Sequence, residues 1–308
     1  MSDLILHHYW PSPFAHKIRL ALALNELSWQ SVEIPRVPPK PLLMPLTAGY
    51  RRTPVLQIGA DIYCDTANIV REIAARSSAD QLLPEAQRSK ILAFGDWIDT
   101  SLFNLAARVV ITSALGSAPE EFVKDRGGLY FGPNWTTDGL QEQLPAVILQ
   151  LSAHLNTVES ALEGSQGMFT DGLSYADLSI AYLAWFIRGR WDLGPDFINQ
   201  YPKIKRILEQ TEERLSDRYT DLTGEQAIEI AAAAQSSAPL GVSCPVGVEY
   251  AVGAQVSIKP QGETSDPAIT GRLRFLDSAR VSIDHRDDVA GDLVVHLPVS
   301  GYRITAAS

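Results

Sequence analysis

The stretch RRTPVLQIGADIYCDTANI, residues 51–69, decides the fold of the N-terminal part of the chain. Two short apolar runs, residues 54–58 and 62–64, flank a Gly-Ala-Asp turn and predict a β-hairpin. Asp65 and Thr66 follow at the start of ANIVREIAAR, which predicts a helix. Because proline cannot donate to a strand ladder, its place at the start of the hairpin is unusual, and we interpret Thr53-Pro54 as a cis bond.

The residues upstream of this hairpin complete a thioredoxin-like pattern. A buried strand is predicted over Leu4–Tyr9, a helix over Pro13–Asn25 and a second strand over Trp29–Ile34. Prolines at positions 35, 38, 39, 41 and 45 then exclude regular structure until about Leu46. The predicted order is βαβ, a connection, then ββα, which assigns residues 1–80 to a thioredoxin-fold domain of the α/β class.

Downstream of this domain the sequence pattern changes twice. Helical periodicity over residues 85–114, 139–163, 175–188 and 201–217 predicts an all-helical domain at 85–220. Between the first two of these helices, GGLYFGPNWTTDG, residues 127–139, is predicted to form a mobile loop. Residues 221–250 are interpreted as a helical and irregular linker. Five alternating segments within residues 251–308 then predict a small β-barrel-like module.

Composition excludes several classes of function. A formal net charge of −10 argues against nucleic acid and anionic membranes as partners, because their phosphates would be repelled. Cys64 and Cys244 are far apart, which predicts no disulfide framework and no metal site, and Cys64 is expected to be a small buried residue. The N-terminus lacks a secretory pattern, and SIAYLAWFI is shorter than the ~20 residues of a membrane span. We therefore expect a cytoplasmic protein without a membrane partner.

Ser12 stands at the junction of the first strand and helix, within YWPSPFAHKIR. A serine there is a typical helix N-cap, with Pro13 as the first helical residue. Thioredoxins carry a cysteine at this point, since a helix N-terminus stabilises a thiolate. With Ser12 and Ala15 in these positions we expect no disulfide exchange by the protein, yet the same helix terminus can stabilise a ligand's thiolate. His16, one turn later, is expected on a solvated helix face.

The hairpin and the helix that follows it suit an extended ligand. The cis bond is predicted to leave the backbone N–H and C=O of Val55 free to pair with a peptide ligand. Asp65 can accept from a ligand ammonium group, while Thr66 and the helix N–H groups can hold a carboxylate. Together these groups fit an amino-acid zwitterion.

Residues 1 to about 215 resemble the glutathione transferase superfamily, with SPFAHKIR, RTPVLQIG and DTANI in the family's order. The likeness is to the bacterial-type members that carry a serine in the SPF motif. It implies that Ser12 hydrogen-bonds the glutathione sulfur. Tyr9 is the rival for this role, because other classes use a tyrosine near the end of the first strand.

The resemblance also implies a set of glutathione-binding residues. Arg52 matches the basic residue that in relatives reaches toward the glycyl carboxylate. Val55, which follows Thr53-Pro54, matches the backbone clamp for the cysteinyl part, and Asp65 with Thr66 matches the family's usual Glu-Ser pair.

The implied activity is transfer of glutathione to a small hydrophobic electrophile, in detoxification, by a cytoplasmic homodimer. Isomerisation, dehalogenation and ether cleavage use the same activated thiol and stay open. The alternative is a non-catalytic scaffold of this family that binds glutathione or protein partners. Ordinary members lack the C-terminal β segments, and our hypothesis is that these act as a lid or in assembly.

Overall fold

The computed structural model describes residues 3–77, 80–216 and 218–307. The chain divides into two compact units. The first unit contains residues 1–15, 28–69 and 218–308, and the second contains residues 16–27 and 70–217. The C-terminal β segments therefore belong to the same unit as the thioredoxin-like strands.

A single sheet organises the first unit. Its strands are β1 Ile5–His8, β2 Trp29–Glu33, β3 Val55–Ile58, β4 Asp61–Cys64, β5 Tyr219–Asp221, β6 Gly241–Val242, β7 Gln255–Pro260, β8 Ile269–Leu276, β9 Arg280–Asp287, β10 Gly291–Pro298 and β11 Tyr302–Ala306. The strand order is β11-β7-β8-β9-β10-β4-β3-β1-β2-β5, and β6 pairs with β8 outside this path. The thioredoxin-like order β4-β3-β1-β2 is thus confirmed as the central part of a longer sheet.

The C-terminal strands extend the sheet instead of forming a barrel. Each of β7 to β11 corresponds to one of the alternating segments, so their existence is confirmed. The predicted closure is wrong, because the strand order is open and ends at β11 on one side. β5 and β6 were not predicted, since strands of three and two residues are too short to show an alternating pattern.

The junction between the two parts of the sheet is a parallel pair, β10 with β4, in which Val294, Val295 and His296 lie beside Asp61, Ile62 and Tyr63. One apolar core spans this junction. It includes Ile5, Val55 and Ile62 of the thioredoxin-like strands together with Ile258, Leu273, Ile283 and Val295 of the C-terminal strands, all at most 1% exposed. The sheet and its core therefore fold as one body.

Three helices begin within the thioredoxin-like part of the chain, before residue 77. α1 spans Pro13–Leu24, α2 spans Met44–Thr47, and α3 spans Thr66–Arg76. The bounds of α1 and α3 confirm the predicted helices, whereas α2 lies in the segment that the prolines were expected to keep irregular. The short α2 begins beside Pro45, which is compatible with the first turn of a helix.

The second unit is helical, as predicted. Its remaining helices are α4 Arg88–Trp97, α5 Phe103–Ser113, α6 Glu120–Tyr130, α7 Thr137–Ala161, α8 Tyr175–Arg190, α9 Gly194–Ile198 and α10 Pro202–Glu212, with a π-helical turn over Ile98–Leu102 between α4 and α5. α11, Gly224–Ala233, belongs to the first unit. Within the described residues, every helix is too short or too polar to cross a membrane.

One loop prediction is wrong in this unit. Gly127 to Tyr130 form the last turn of α6, so only residues 131–136 connect α6 to α7. Gly127 is required there because a Cβ atom would lie 2.0 Å from the Trp135 ring. Gly127, one of the glycines that suggested a loop, thus serves close packing within a helix.

Candidate functional site

Ser12 caps the N-terminus of α1. Its Oγ accepts a hydrogen bond from the Ala15 backbone N–H at 3.2 Å, and its own backbone N–H donates to the Tyr9 carbonyl at 3.1 Å. The side chain is 2% exposed. Among the described residues, no acceptor is recorded for the hydroxyl hydrogen of Ser12. The predicted N-cap is confirmed, and the hydroxyl keeps one donor at a helix end that favours negative charge.

Tyr9 lies beside Ser12 in sequence, just beyond the end of β1. Its side chain is 7% exposed, and the Arg36 guanidinium lies 6.0 Å from the centre of its ring. Both candidates for contact with a ligand's sulfur therefore stand at the carboxyl end of β1. The choice between Ser12 and Tyr9 stays a prediction.

The Thr53–Pro54 bond is cis, as predicted. Thr53 precedes β3, and its hydroxyl accepts a hydrogen bond from Lys40 Nζ at 2.9 Å. No hydrogen bond to the Thr53 backbone N–H or C=O is recorded within residues 3–77, 80–216 and 218–307. Those two groups are therefore available to pair with an extended ligand.

Val55 does not have the free backbone that we expected. It is the first residue of β3, with His7 of β1 on one side and Cys64 of β4 on the other. Because each edge of Val55 faces a protein strand, its polar groups point toward protein. The register therefore leaves Thr53, and not Val55, as the candidate for a backbone contact with a ligand.

Asp65 and Thr66 stand at the start of α3. Asp65 has a φ of +71°, a left-handed conformation that few residues other than glycine adopt. Its Oδ1 accepts from the Ala67 N–H at 2.9 Å, and its carbonyl accepts from Asn68 and Ile69. This local network places the carboxylate at the helix N-terminus, as the sequence predicted.

Two residues from the C-terminal part of the chain contact the predicted ligand-binding residues Asp65 and Arg52. The Tyr302 hydroxyl donates to Asp65 Oδ2 at 3.0 Å. The Asp266 carboxylate accepts from Arg52 Nε and Nη2 at 2.8 and 2.6 Å and from Arg51 Nε at 3.1 Å. Arg52 and Asp65, the expected partners of the two ends of a ligand, thus both contact the C-terminal part of the chain.

These contacts and the burial of the groups determine the pKa shifts of Arg52 and Tyr302. Burial opposes ionisation of Arg52, but the Asp266 charge outweighs it and raises the pKa of Arg52 above its ordinary value. Burial first, and then the charge of Asp65, raises the pKa of Tyr302 well above its ordinary value. Tyr302 is therefore a neutral donor, and Arg52 is a permanent cation.

Sequence reasoning missed Asp266 and Tyr302 entirely. Asp266 lies in the loop QGETSDPA, where Gly, Ser, Asp and Pro are ordinary turn residues. Tyr302 occupies an apolar position of an alternating strand, which predicts only burial. Contacts separated by more than 200 residues leave no local pattern in a single sequence.

Two other predictions concern residues near the site. Cys64 is fully buried, and burial raises the pKa of its thiol well above the ordinary value, so it is an unreactive part of the core. His16 was expected on a solvated helix face, and that expectation is wrong. It is 3% exposed and its ring stacks on Trp185 with centroids 4.2 Å apart. In the described part of the chain, no cluster of three His, Cys, Asp or Glu side chains has the geometry of a metal site.

Comparison with known proteins identifies relatives of both parts of the chain. The family described as "Glutathione S-transferase, N-terminal domain" matches residues 11–76. A solved GST-like protein from Pseudomonas syringae is 32% identical, covers 100% of both chains and superposes with a TM-score of 0.74. That match includes the C-terminal strands.

More distant matches concern the fold and part of the sequence. A probable glutathione S-transferase parA of Nicotiana tabacum is 28% identical over 127 residues, which are 40% of this chain and 57% of the tobacco protein. The chain thus matches little more than half the length of that relative. The rice transferase OsGSTU1, solved in complex with glutathione, is 17% identical, covers 71% of this chain and 92% of its own, and has a TM-score of 0.51.

Proposed function

The chain belongs to the glutathione S-transferase family, and from that premise we propose that it activates the thiol of glutathione for attack on a small hydrophobic electrophile. The observation that carries the proposal is the buried Ser12 hydroxyl at the N-terminus of α1. Its oxygen already accepts the Ala15 backbone N–H, which leaves its hydrogen to be donated to a sulfur anion. Tyr9 is the second candidate for this contact.

The energy required is within reach of these groups. Lowering the pKa of a free thiol from about 8.5 by two units takes about 2.7 kcal/mol of thiolate stabilisation. A hydrogen bond to a charged acceptor contributes about 1.5–3 kcal/mol, and a helix N-terminus adds up to about 1 kcal/mol. The sulfur then forms a bond to the electrophilic carbon, the leaving group departs with its electron pair, and the thiol proton passes to solvent.

Asp65 and Thr66 would bind the amino-acid end of glutathione, and Thr53, beside the cis Pro54, would pair with its backbone. Each carboxylate oxygen can accept more than one hydrogen bond, so Asp65 can serve Ala67, Tyr302 and a ligand ammonium together. Transfer, isomerisation and displacement of a halide share this first half of the reaction. The identity of the electrophile distinguishes among them.

The scaffold alternative has one specific observation in its favour. Arg52, which the family resemblance assigns to the glycyl carboxylate, is already paired with Asp266. A protein that binds glutathione without activating it, or binds a different partner, would accommodate this ion pair without cost. Binding and thiol activation must therefore be measured separately.

The test is a titration of glutathione into the protein, in which the ultraviolet absorbance of the thiolate is followed as a function of pH. Wild type is expected to lower the pKa of the bound thiol, and Ser12→Ala to lose that shift while still binding. Ser12→Thr, which keeps both the cap and the hydroxyl, is the matched control and is expected to retain the shift.

Each other outcome has a definite meaning. A shift that survives in Ser12→Ala and disappears in Tyr9→Phe assigns the sulfur contact to Tyr9. Binding without any shift in wild type favours the scaffold. No binding of glutathione refutes the proposal. We also propose a cytoplasmic homodimer, as the family resemblance implies, which light scattering of the purified protein and imaging of a tagged chain would test.

A further inference from the structure

We propose that Asp266 sets the ligand specificity of the site by occupying Arg52, so that the site prefers a γ-glutamyl thiol whose far end is uncharged. Asp266 lies in the loop between β7 and β8. The inference rests on the proposed function, because it assumes that a glutathione-like thiol binds beside Thr53 and Asp65. It goes beyond that function by naming the residue that selects among such thiols.

The Asp266 carboxylate is held in a built position. Thr264 Oγ1 donates to its Oδ2, and the Asp266 backbone N–H donates back to Thr264 Oγ1 at 2.9 Å. Arg51 Nε binds Oδ1, while Arg51 Nη2 donates to Ser265 Oγ at 2.7 Å. The residue is 6% exposed, so its carboxylate is fixed within the fold and is not a mobile surface charge.

The contact takes one of the two edges of the Arg52 guanidinium that can bind a carboxylate in bidentate fashion. Nε and Nη2 form one side of the guanidinium fork, and both donate to Asp266 Oδ2. Side-on recognition of a carboxylate by arginine needs two parallel donors of this kind. A second carboxylate at Arg52 would lie next to the first, and like charges at such a distance disfavour ionisation of one of them.

Lys40, the neighbouring cation, is not free to replace Arg52 as the partner of a ligand carboxylate. Lys40 is 4% exposed, and its Nζ donates to the Arg51 carbonyl and to Thr53 Oγ1, each at 2.9 Å. This ammonium group therefore serves the backbone turn before Pro54. A ligand end without a charge avoids the competition with Asp266 altogether.

The amino-acid end of the proposed ligand meets groups that can still bind it. Asp65 is fixed by the Tyr302 hydroxyl and by Ala67, and it keeps acceptor capacity for an ammonium group. The N-terminus of α3 favours a carboxylate beside it. The same C-terminal part of the chain thus supports recognition of the amino-acid end while blocking recognition of a charged far end.

The experiment compares calorimetric binding of glutathione and of its glycyl monoethyl ester, which is neutral at the far end. Wild type is expected to bind the ester about tenfold more tightly, which is about 1.4 kcal/mol. Asp266→Asn, which keeps the shape and one acceptor oxygen, is expected to raise the affinity for glutathione about tenfold and to change that for the ester less than twofold.

Asp292→Asn is the matched control. Asp292 is in the same part of the chain, in an exposed ion pair with Arg286, where both side chains are more than three-quarters exposed. This variant removes the same charge from the protein and is expected to leave both affinities unchanged. A change common to both variants would reflect net charge and would overturn the assignment to Asp266.

The outcomes separate this inference from the proposed function. If wild type binds glutathione more tightly than the ester, or if Asp266→Asn weakens both ligands in parallel, the specificity role is overturned while the glutathione site stands. If neither ligand binds to any of the three proteins, the proposed function itself fails. Should Asp266→Asn not fold, a wild type that binds glutathione more tightly than the ester would still overturn the proposal.

Discussion

Asp61 ties the C-terminal part of the chain to the edge of the thioredoxin-like sheet. Its Oδ1 accepts from Ser236 Oγ at 2.5 Å and from His296 Nε2 at 3.1 Å, and its Oδ2 accepts from the Ser237 N–H at 3.1 Å. Burial alone would raise the pKa of Asp61, but the bonds from His296 and the serines outweigh it and lower the pKa below its ordinary value. The ionised carboxylate is therefore the form that holds the junction together.

We predict that Asp61→Asn destabilises the protein by about 3 kcal/mol, within a range of about 2–4 kcal/mol. The amide keeps one acceptor oxygen but turns an NH₂ group toward either Ser237 or the pair formed by Ser236 and His296. A buried hydrogen bond to a charged group contributes about 1.5–3 kcal/mol. At least one donor loses its acceptor in Asp61→Asn and the remaining donors lose the charge of theirs, so the total cost is expected at about 3 kcal/mol. Such a loss is a large part of the roughly 5–15 kcal/mol that stabilises an ordinary domain.

Urea unfolding at pH 7 of wild type, Asp61→Asn and the exposed control Asp292→Asn tests this prediction. The control is expected to match wild type because its ion pair with Arg286 is open to solvent. An Asp61→Asn variant as stable as the control would refute the reasoning.

The dependence of this difference on pH follows from the sign of the shift. Because the folded pKa of Asp61 lies below its unfolded value of about 3.9, its contribution is complete above that pH and is lost as the pH falls through the folded pKa. The stability difference between wild type and Asp61→Asn should therefore shrink in acid. A difference that stays constant to low pH would mean that shape, and not charge, matters at this position.

Three further predictions concern buried groups. Burial lowers the pKa of His7 to about 4, so the contribution of His7 to the free energy of unfolding should fall by about 2 kcal/mol from pH 7 to pH 5. His7→Asn should remove that part of the wild-type loss in urea titrations at both pH values, while the share that comes from the buried His16 remains. Lys17→Met should cost about 3–5 kcal/mol by urea unfolding because it removes the cation that neutralises the Asp99 carboxylate. Adding Asp99→Asn, which removes the charge and keeps an acceptor for the Tyr182 hydroxyl, should recover most of it. Gly194→Ala should destabilise the protein by about 1–3 kcal/mol and lower its thermal midpoint, because the added Cβ would lie 2.1 Å from a backbone oxygen. In the control Gly189→Ala the added Cβ meets no atom within 4 Å, so that variant should be neutral or stabilising.

Local patterns predicted most of the fold. The strand and helix at the start of the chain, the hairpin and α3 were predicted within a residue or two, because each carries its own period and its own start and stop signals. The Ser12 cap follows the same local logic.

Pairing between distant segments could not be predicted. The alternating sequence of β10 predicts a strand with one buried face, whereas six consecutive residues of it are buried, and nothing in its sequence shows that its neighbour is β4. The burial of His16 was missed because the partner that covers it, Trp185, lies 169 positions away in the chain. The backbone contact was placed at Val55 because the sequence does not show the register of β3.

The position of β4 explains why the C-terminal strands should be regarded as part of the domain. Without β10, β4 would present a row of unpaired backbone groups, and exposed edges of this kind promote aggregation. The apolar side chains that the C-terminal strands bury, such as Ile62 and Val55, would also lose their cover. Removal of residues 251–308 would therefore disrupt the sheet that positions Asp65 and Arg52. A loss of activity in such a truncation would not show whether the C-terminal strands act as a lid or as a structural element. Single substitutions at Asp266 and Asp61 can make that distinction, because the first alters the site and the second alters the junction.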